Sequence, residues 1–410
     1  MSLRKDCDYI VKEAIAHVLP DEAVQCALDG RYFSDGRLIL VAVGKAAWSM
    51  ANAAQEMLGN RISDGIVITK HGHSHGEIGR LVIREAGHPV PDEAGFAACE
   101  EALRMTEGLS ENDTVLFLLS GGGSALFESS VVELDELQSI TTALLGCGAD
   151  IVEINTIRKR LSNVKGGRFA MHCAPAHVIT IVLSDVVGDR LDMIASGPAY
   201  PDKSTCEEAV GIIEKYGLKL SDTALECIRT ETPKKINNVT TLVTGSVSEL
   251  CSAAADACRN LGYEPTILTD CISCEASDAG QMLAETIKEN ISTDKSLAFI
   301  VGGETVVHIK GSGKGGRNQE LALASAKGIA GLEGVAVFSV GSDGTDGPTD
   351  AAGGFVDGNT AKVLSDMGID IDSVLNDNDS YNALKACGGL IITGATGTNV
   401  NDVSVALIKR

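Results

Sequence analysis

The stretch LILVAVGKAAWSMANAAQEML, Leu38 to Leu58, carries the reading of the fold. Leu38–Val43 is an unbroken apolar run, which marks a strand buried on both faces rather than one with a wet side. Gly44 ends the run and Lys45 follows. Ala46–Leu58 then has the length and composition of a helix. A buried strand that turns into a helix is half of a βαβ unit, and such units build parallel sheets covered by helices.

The pattern repeats outward from this unit. Short runs rich in Val, Ile and Leu lie at Gly65–Thr69, Leu81–Arg84, Thr114–Leu119, Val178–Leu183, Thr240–Thr244 and Glu264–Leu268. Others lie at Leu297–Val301, Thr305–Ile309, Gly334–Val340 and Gly389–Ile392. Helix-length stretches fall between many of them: Glu93–Gly108, Ser248–Leu261, Glu275–Asn290 and Asn318–Ala330. The expected fold class is therefore α/β, with Rossmann-like domains and mostly parallel sheets. A chain of 410 residues holds two such domains at about 100–200 residues each. The polar TETPKKINN, Thr230–Asn238, is the natural break, giving residues 1–235 and 236–410. The C-terminal GLIITGATGTNVNDVSVALIK is left open to pack back on the first domain.

The 56 acidic and 34 basic residues give a net charge of −22. Such a chain has no basic surface for nucleic acid or an anionic membrane. No apolar run approaches the roughly 18 residues of a membrane span. The N-terminal MSLRKDCDYIVKEAIAHVL reads as an amphipathic helix rather than a signal peptide, so the expected location is cytoplasmic. The 12 cysteines are scattered and read as reduced thiols. Cys271 and Cys274 form a C-x-x-C, but no second such motif completes a zinc or redox pattern.

Against this acidic background, glycine-rich loops with cations stand out. Lys45 follows a strand and precedes a helix, where an anion is favoured; on this motif alone an exposed lysine in a turn is the preferred reading. Ser120-Gly121-Gly122-Gly123-Ser124 follows the run Thr114–Leu119, and three glycines allow close backbone approach and offer N–H groups to phosphate. INTIRKRLSNVKGGRFA carries Arg158, Lys159, Arg160, Lys165 and Arg168, with Asn155 before them. A solvated basic face and a polyphosphate contact are both open there. Asp185 and Asp189 follow a strand, the position where α/β ligand sites form, and suit Mg²⁺, a substrate proton or N-capping.

Gly311, Gly313 and Gly316 satisfy G-x-G-x-x-G between a strand and a helix, the pattern of a dinucleotide site. Lys310, Lys314 and Arg317 set positive charge in and beside that loop, which suits a transferring phosphoryl group better. Asp343, Asp346 and Asp350 follow among further glycines and suit Mg²⁺, a substrate hydroxyl or local Asx-turns. HGHSHG, His71 to Gly76, looks like a metal tract but its glycines suggest a loop. His88 reads as a residue that orders a turn. No P-loop G-x-x-x-x-G-K-[ST] is present in the sequence.

Taken together, VGKAAWSMA, LSGGGSALF, INTIRKRLSNVKGGRFA, SDVVGDRLDMIASGPAYPD, GGETVVHIKGSGKGGRNQELALA, SVGSDGTDGPTDAAGG and TGTNVND resemble the glycerate 2-kinase family. Its members join an N-terminal glycerate-kinase domain to a C-terminal MOFRL domain. The resemblance runs in order over nearly the whole chain. It implies ATP-dependent phosphorylation of D-glycerate to 2-phosphoglycerate, Mg²⁺ or another divalent cation as cofactor, and an active-site cleft between two α/β domains. Through the matching blocks it implies Lys45 and Arg317 as the phosphoryl-transfer residues.

The candidate substrate or nucleotide contacts are Ser120, Gly121, Gly122, Gly123, Ser124, Asn155, Arg158, Lys165, Glu304, Gly313, Lys314, Gly315, Gly316 and Asp343. Asp185 and Asp189 are the candidate metal ligands. The expected partners are D-glycerate and ATP, with no nucleic acid and no membrane, and the protein is expected as a monomer or homodimer. Two other readings stand: an NAD(P)-dependent hydroxyacid or hydroxypyruvate oxidoreductase, and a non-catalytic nucleotide-binding protein.

Overall fold

The structure, a computed structural model, describes residues 2–183 and 191–410. Two compact units make up the chain. One is Pro20–Thr244, and the other joins Met1–Leu19 to Gly245–Arg410.

The Pro20–Thr244 unit is built on β1 (Leu38–Val43), β2 (Asp64–Lys70), β3 (Val82–Ala86), β4 (Thr114–Leu119), β5 (His177–Val182) and β6 (Val239–Val243). They form one all-parallel sheet in the order β3-β2-β1-β4-β5-β6. Side chains alternate across a strand, so each strand feeds two cores. Ile39, Val41 and Val43 pack with Val115, Phe117 and Leu119 on one face. Leu38, Leu40 and Ala42 pack with Leu116, Leu118 and Ile181 on the other. Each large apolar side chain so buried contributes about 1.5–3 kcal/mol. The unbroken apolar run is thus the direct consequence of helices on both faces.

The strand order reverses between β1 and β4. The chain leaves β1 toward β2 on one side, and β4 begins the other side of the sheet. Loops leaving the carboxyl ends of these two strands diverge, and the crevice between them is where open α/β sheets bind ligands. A satellite of helices, Leu134–Gly146, Ile151–Arg160, Cys206–Tyr216 and Asp222–Ile228, closes around Leu137, Leu144, Ile157, Leu161 and Ile212. Capping boxes start two of these helices, Asp150 with Glu153 and Thr205 with Glu208.

The other unit holds β7 (Glu264–Ile272), β8 (Leu297–Gly303), β9 (Val335–Gly341), β10 (Gly353–Asp357), β11 (Leu390–Ile391) and β12 (Asp402–Ile408). Their order is β11-β10-β9-β12-β8-β7. β7 and β8 are parallel, β12 is antiparallel to β8 and β9, and β10 is antiparallel to β9 and β11. β7, β8, β9 and β11 therefore share one direction, and only β10 and β12 oppose it. With the all-parallel first sheet, the chain is an α/β protein of mostly parallel strands, as its sequence leads one to expect.

The structure differs from the sequence expectation in several places. The division of the chain at 235/236 does not match the compact units, because β6 completes the first sheet on β5. The N-terminal helix Leu3–His17 belongs with the second sheet: Cys7, Ile10, Val11 and Ala14 pack among Phe338, Val403 and Val405. The C-terminal stretch, left open by the sequence, belongs to the second unit. Its β12 is paired on both edges inside the second sheet and is buried throughout.

Thr305–Ile309 forms no strand; it is a partly exposed loop joined to Glu275 by a single bridge. β10, hidden in the sequence by Gly353-Gly354, is a true strand. A methyl group on Gly353 would lie 1.8 Å from the Ser339 carbonyl oxygen, so glycine is required for the strands to approach.

Candidate functional site

At the crevice of the first sheet, the loops after β1 and β4 interlock. Ser120 N–H donates to the Val43 carbonyl at 2.9 Å and Lys45 N–H donates to the Gly121 carbonyl at 2.9 Å. The buried Ser120 hydroxyl accepts from Ala46 N–H at 3.1 Å. Gly44 has φ +127°, and a methyl group there would lie 2.1 Å from Ser120 Oγ. These bonds place the exposed Lys45 side chain beside the glycine loop. Among the described residues, nothing accepts the N–H groups of Gly121, Gly122, Gly123 or Ser124. Four consecutive unclaimed donors beside an ammonium make a concavity for an oxyanion.

This loop leans on a strained turn. Ala195 and Ser196 take left-handed φ angles of 49° and 59°, which costs of order 1–3 kcal/mol per residue. A methyl group on Gly123 would lie 2.6 Å from the Ala195 Cβ, so glycine permits the contact. The turn sets the Ser196 hydroxyl 3.1 Å from the Ser124 hydroxyl and lets it donate to Asn155 Oδ1 at 2.8 Å. Asn155 and Ser124 are thereby joined in one network.

The basic cluster divides sharply. Lys159 pairs with Asp202 at 3.1 Å. Arg160 donates to the Ser204 hydroxyl and carbonyl at 2.8 and 2.9 Å. Arg168 donates to the Lys159 carbonyl. Lys165 does not face a ligand: it is fully buried, with Nζ 2.5 Å from Glu128 Oε2 and 2.9 Å from the Phe127 carbonyl. Its place among the phosphate contacts is thus corrected to an internal ion pair. Arg158 alone of the five has no hydrogen bond or ion pair to a described residue, and burial holds its pKa below the usual arginine value. A cavity of 490 Å³ lies against this helix, lined by Thr156, Lys159, Asp192, Asp202 and Ser204. Asp185 and Asp189, the candidate metal ligands, lie outside the described residues.

In the second unit a cavity of 520 Å³ gathers Glu304, Gly313, Gly315, Gly316, Arg317 and Asp343. Six sequence-derived candidates therefore meet in one place. Arg317 holds Asp402 at two points, Nε to Oδ2 at 2.6 Å and Nη2 to Oδ1 at 3.1 Å, and reaches Glu304 with Nη1 at 2.5 Å. These carboxylates hold its pKa above the usual value against the opposing effect of burial. Burial in turn raises the Asp402 carboxyl to about 6, with Arg317 opposing.

The G-x-G-x-x-G loop does not behave as a dinucleotide cradle. Lys310 and Gly311 N–H donate to Asn378 Oδ1, Ser312 N–H to Asp377 Oδ1, Gly313 N–H to the Asp377 carbonyl, and Lys314 N–H to Asp379 Oδ1. Methyl groups on Gly311 or Gly313 would strike the Asp377–Asp379 backbone and side chains. The glycines are there for that contact. The buried Asp346 carboxylate occupies the start of helix Arg317–Ala326, accepting from Asn318 N–H at 3.1 Å and Gln319 N–H at 2.9 Å. This side chain already answers the helix dipole that a diphosphate would use. The Lys314 ammonium lies 4.3 Å from the centre of the Tyr381 ring rather than among the cavity's lining residues.

The three spaced aspartates also part company. Asp346 caps the helix and Asp350 accepts the Tyr381 hydroxyl at 2.7 Å. Asp343 and Asp346 both line the cavity, and Asp343 has one oxygen held by Thr345 N–H at 2.9 Å. The HGHSHG imidazoles have separate partners: His71 lies 2.8 Å from Asp92, and His75 packs edge-on against Trp48. Cys271 and Cys274 are exposed thiols.

Sequence reading missed Asp402 and Asn378 and gave Asp346 no helix-capping role, because each acts through a partner at least 27 positions away. It also gave His88 only a turn-ordering role, whereas a methyl group built on Gly122 would lie 3.0 Å from His88 Cδ2 and 3.3 Å from Lys45 Cγ. His88 follows the carboxyl end of β3, which could have flagged it.

Two family profiles match the chain: a domain of unknown function (DUF4147) over residues 6–229 and the MOFRL family over residues 297–402. The chain is 54% identical to a D-glycerate 2-kinase of Thermotoga maritima over 99% of both chains. It is 40% identical to a glycerate 2-kinase of Pyrococcus horikoshii, covering 100% of this chain and 98% of the relative. It is 38% identical to a protein of Agrobacterium vitis named as a putative hydroxypyruvate reductase, covering 100% of this chain and 95% of that one. A crystal structure of the Thermotoga maritima glycerate kinase matches with a TM-score of 0.95 over 99% of both chains.

Proposed function

The chain belongs to the glycerate 2-kinase family, and from that premise we propose that it transfers the γ-phosphoryl group of ATP to the 2-hydroxyl of D-glycerate. The observation that carries this reading is the row of N–H groups from Gly121 to Ser124, beside Lys45 and without an acceptor among the described residues. Donors aimed at one spot with an adjacent cation suit phosphate oxygens, and phosphoryl transfer is chiefly positioning and charge neutralisation.

In this mechanism Lys45 and the glycine loop hold phosphate oxygens. Arg317, fixed by Asp402 and Glu304, offers a rigid guanidinium to negative charge as it shifts during transfer. The glycerate hydroxyl oxygen bonds to phosphorus and its proton passes to solvent, while the bond from phosphorus to the bridging oxygen of ADP breaks and ADP leaves with that electron pair. Asp343, which lines the same cavity with one oxygen held by Thr345, offers one carboxylate ligand of the kind a hard divalent cation takes. Asp343 would hold Mg²⁺ there, and Asp185 and Asp189 remain proposed ligands on sequence grounds. Bound Mg²⁺ would supply neutralisation of phosphate charge.

The oxidoreductase reading finds less support, since the loop it needs gives its N–H groups to Asp377, Asn378 and Asp379. Phosphorus NMR of the products formed from ATP, Mg²⁺ and D-glycerate tests the proposal. A 2-phosphoglycerate signal appearing with ADP is expected. Phosphate on the 3-position, or nicotinamide oxidation by hydroxypyruvate without ADP release, would overturn it.

A further inference from the structure

Three strand ends converge on the glycine loop: Lys45 after β1, Ser120–Ser124 after β4, and His88 after β3. The edge of the His88 ring faces Gly122. A methyl group built there would lie 3.0 Å from Cδ2 and 3.2 Å from Nε2, on the same glycine that Lys45 Cγ touches. Gly122 has φ +92° and presents one of the unclaimed N–H groups. The imidazole is half-buried, and neither ring nitrogen bonds to a described residue.

The position of the ring is built from below. Asp92 caps helix Glu93–Met105 through Gly95 N–H at 2.9 Å, pairs with His71 at 2.8 Å and accepts from Gly87 N–H, which fixes the residue before His88. A half-buried imidazole with two open nitrogens, seated on a loop of open donors, is better placed to meet a ligand than to order a turn.

We propose that His88 is a further binding residue of this site, contacting through Nε2 the same oxyanion that Lys45 and the glycine loop receive. The inference rests on the kinase reading for the identity of that oxyanion, a nucleotide phosphate or the glycerate carboxylate.

The surroundings give the contact a particular character. The charged groups that bear on the ring are Lys45, Lys70 and His73, and burial first and then these cations hold its pKa below the ordinary histidine value. The nearby carboxylates are engaged elsewhere: Glu85 by Gly72 and Ser74, and Asp92 by His71. Burial and these neighbours favour the neutral ring in the free protein. An oxyanion placed among these cations cancels their repulsion and raises the pKa, so the ring takes up a proton as the ligand binds. Proton uptake on binding makes affinity rise as pH falls.

Calorimetric titration of the full chain with Mg-ATP, D-glycerate and inorganic pyrophosphate, at pH 6 and pH 8 in buffers of different ionisation enthalpy, tests this. For the wild type, proton uptake on binding and tighter binding at pH 6 are expected. His88→Gln should bind about tenfold more weakly at pH 6, with proton uptake reduced to that of the ligand itself. The arm showing the difference identifies the oxyanion. His88→Asn serves if the glutamine variant does not fold.

Equal affinity and equal proton uptake in wild type and variant, for all three probes, would overturn the proposal. So would a wild type that binds none of them. Pyrophosphate or ATP binding that depends on His88 without any turnover would leave His88 standing and remove the kinase reading. Turnover that is indifferent to His88 would do the reverse.

Discussion

Arg317 and Asp402 form a two-point pair, with Nε 2.6 Å from Oδ2 and Nη2 3.1 Å from Oδ1. The arginine opens helix Arg317–Ala326 and the aspartate opens β12, so the pair ties the glycine loop to the middle of the second sheet. A lysine cannot reproduce two parallel donors in a plane. Arg317→Lys should therefore lower kcat by about 10²-fold or more, near the loss seen when one preorganised donor is removed. Steady-state kinetics with D-glycerate and ATP checks this. Activity close to wild type in the lysine variant would remove the guanidinium from the mechanism.

The same pair sets a pH signature in stability. The folded Asp402 pKa is raised to about 6 from an ordinary 3.8, chiefly by burial. A carboxyl so raised binds its proton more readily folded than unfolded. Its contribution to stability is full below 3.8 and is lost as pH rises through about 6. Asp402→Asn has no such titration, so its stability relative to wild type should improve between pH 4 and pH 7, on the order of 2–3 kcal/mol. Urea unfolding of both proteins at several pH values measures the difference, and a pH-independent gap would contradict it.

Lys45 separates chemistry from folding. Its ammonium is exposed and pairs with no described carboxylate, while its backbone carries the contact to Gly121. Lys45→Ala should leave the melting temperature within about 1 °C, since surface changes away from special features stay near ±0.5 kcal/mol. Turnover should fall by orders of magnitude. A large loss of melting temperature would assign Lys45 a structural role instead.

Gly44 should tolerate no side chain. With φ +127° and only 2.1 Å from a built methyl group to Ser120 Oγ, Gly44→Ala must displace the serine or the turn. The strained φ and the displaced hydrogen bond together should cost about 2–4 kcal/mol. Denaturant unfolding reads the stability, and loss of the Ala46–Ser120 bond should appear as faster amide exchange at Ala46. Wild-type stability would show that the two loops are less tightly interlocked than the geometry indicates.

Much of the first sheet was legible because its strands are buried on both faces and their unbroken apolar runs have few other uses. Leu38–Val43 and Thr114–Leu119 match their observed bounds. The second sheet was harder. β10 begins with two glycines that read as loop, yet Gly353 lets the Ser339 carbonyl pass 1.8 Å from where a methyl group would sit, and Gly354 makes room for the Leu384 side chain. Direction was hidden in β12 as well, since DVSVALI carries no mark of whether it runs with or against its neighbours.

At the sites, the candidates found by loop position, Lys45, Ser120–Ser124 and Arg317, do lie at strand and helix ends. What composition could not separate was which cations already have internal partners. Lys159, Arg160 and Lys165 look like Arg158 in sequence, and only the fold supplies Asp202, Ser204 and Glu128 to them.

Lys165 offers the sharpest test of that distinction. Its ammonium is fully buried against Glu128, whose carboxylate is also buried, and burial lowers the lysine pKa while the carboxylate opposes the shift. Lys165→Met leaves Glu128 charged and without its partner in the core, and breaking one side of a buried pair costs about 3–5 kcal/mol. Replacing both, as Glu128→Leu with Lys165→Met, removes the stranded charge and should recover most of that loss. If the pair is purely internal, both variants should retain wild-type affinity for Mg-ATP at a temperature where they remain folded. Calorimetric unfolding combined with nucleotide titration distinguishes the cases. A Lys165→Met protein with wild-type stability but weakened nucleotide binding would return this lysine to the phosphate contacts.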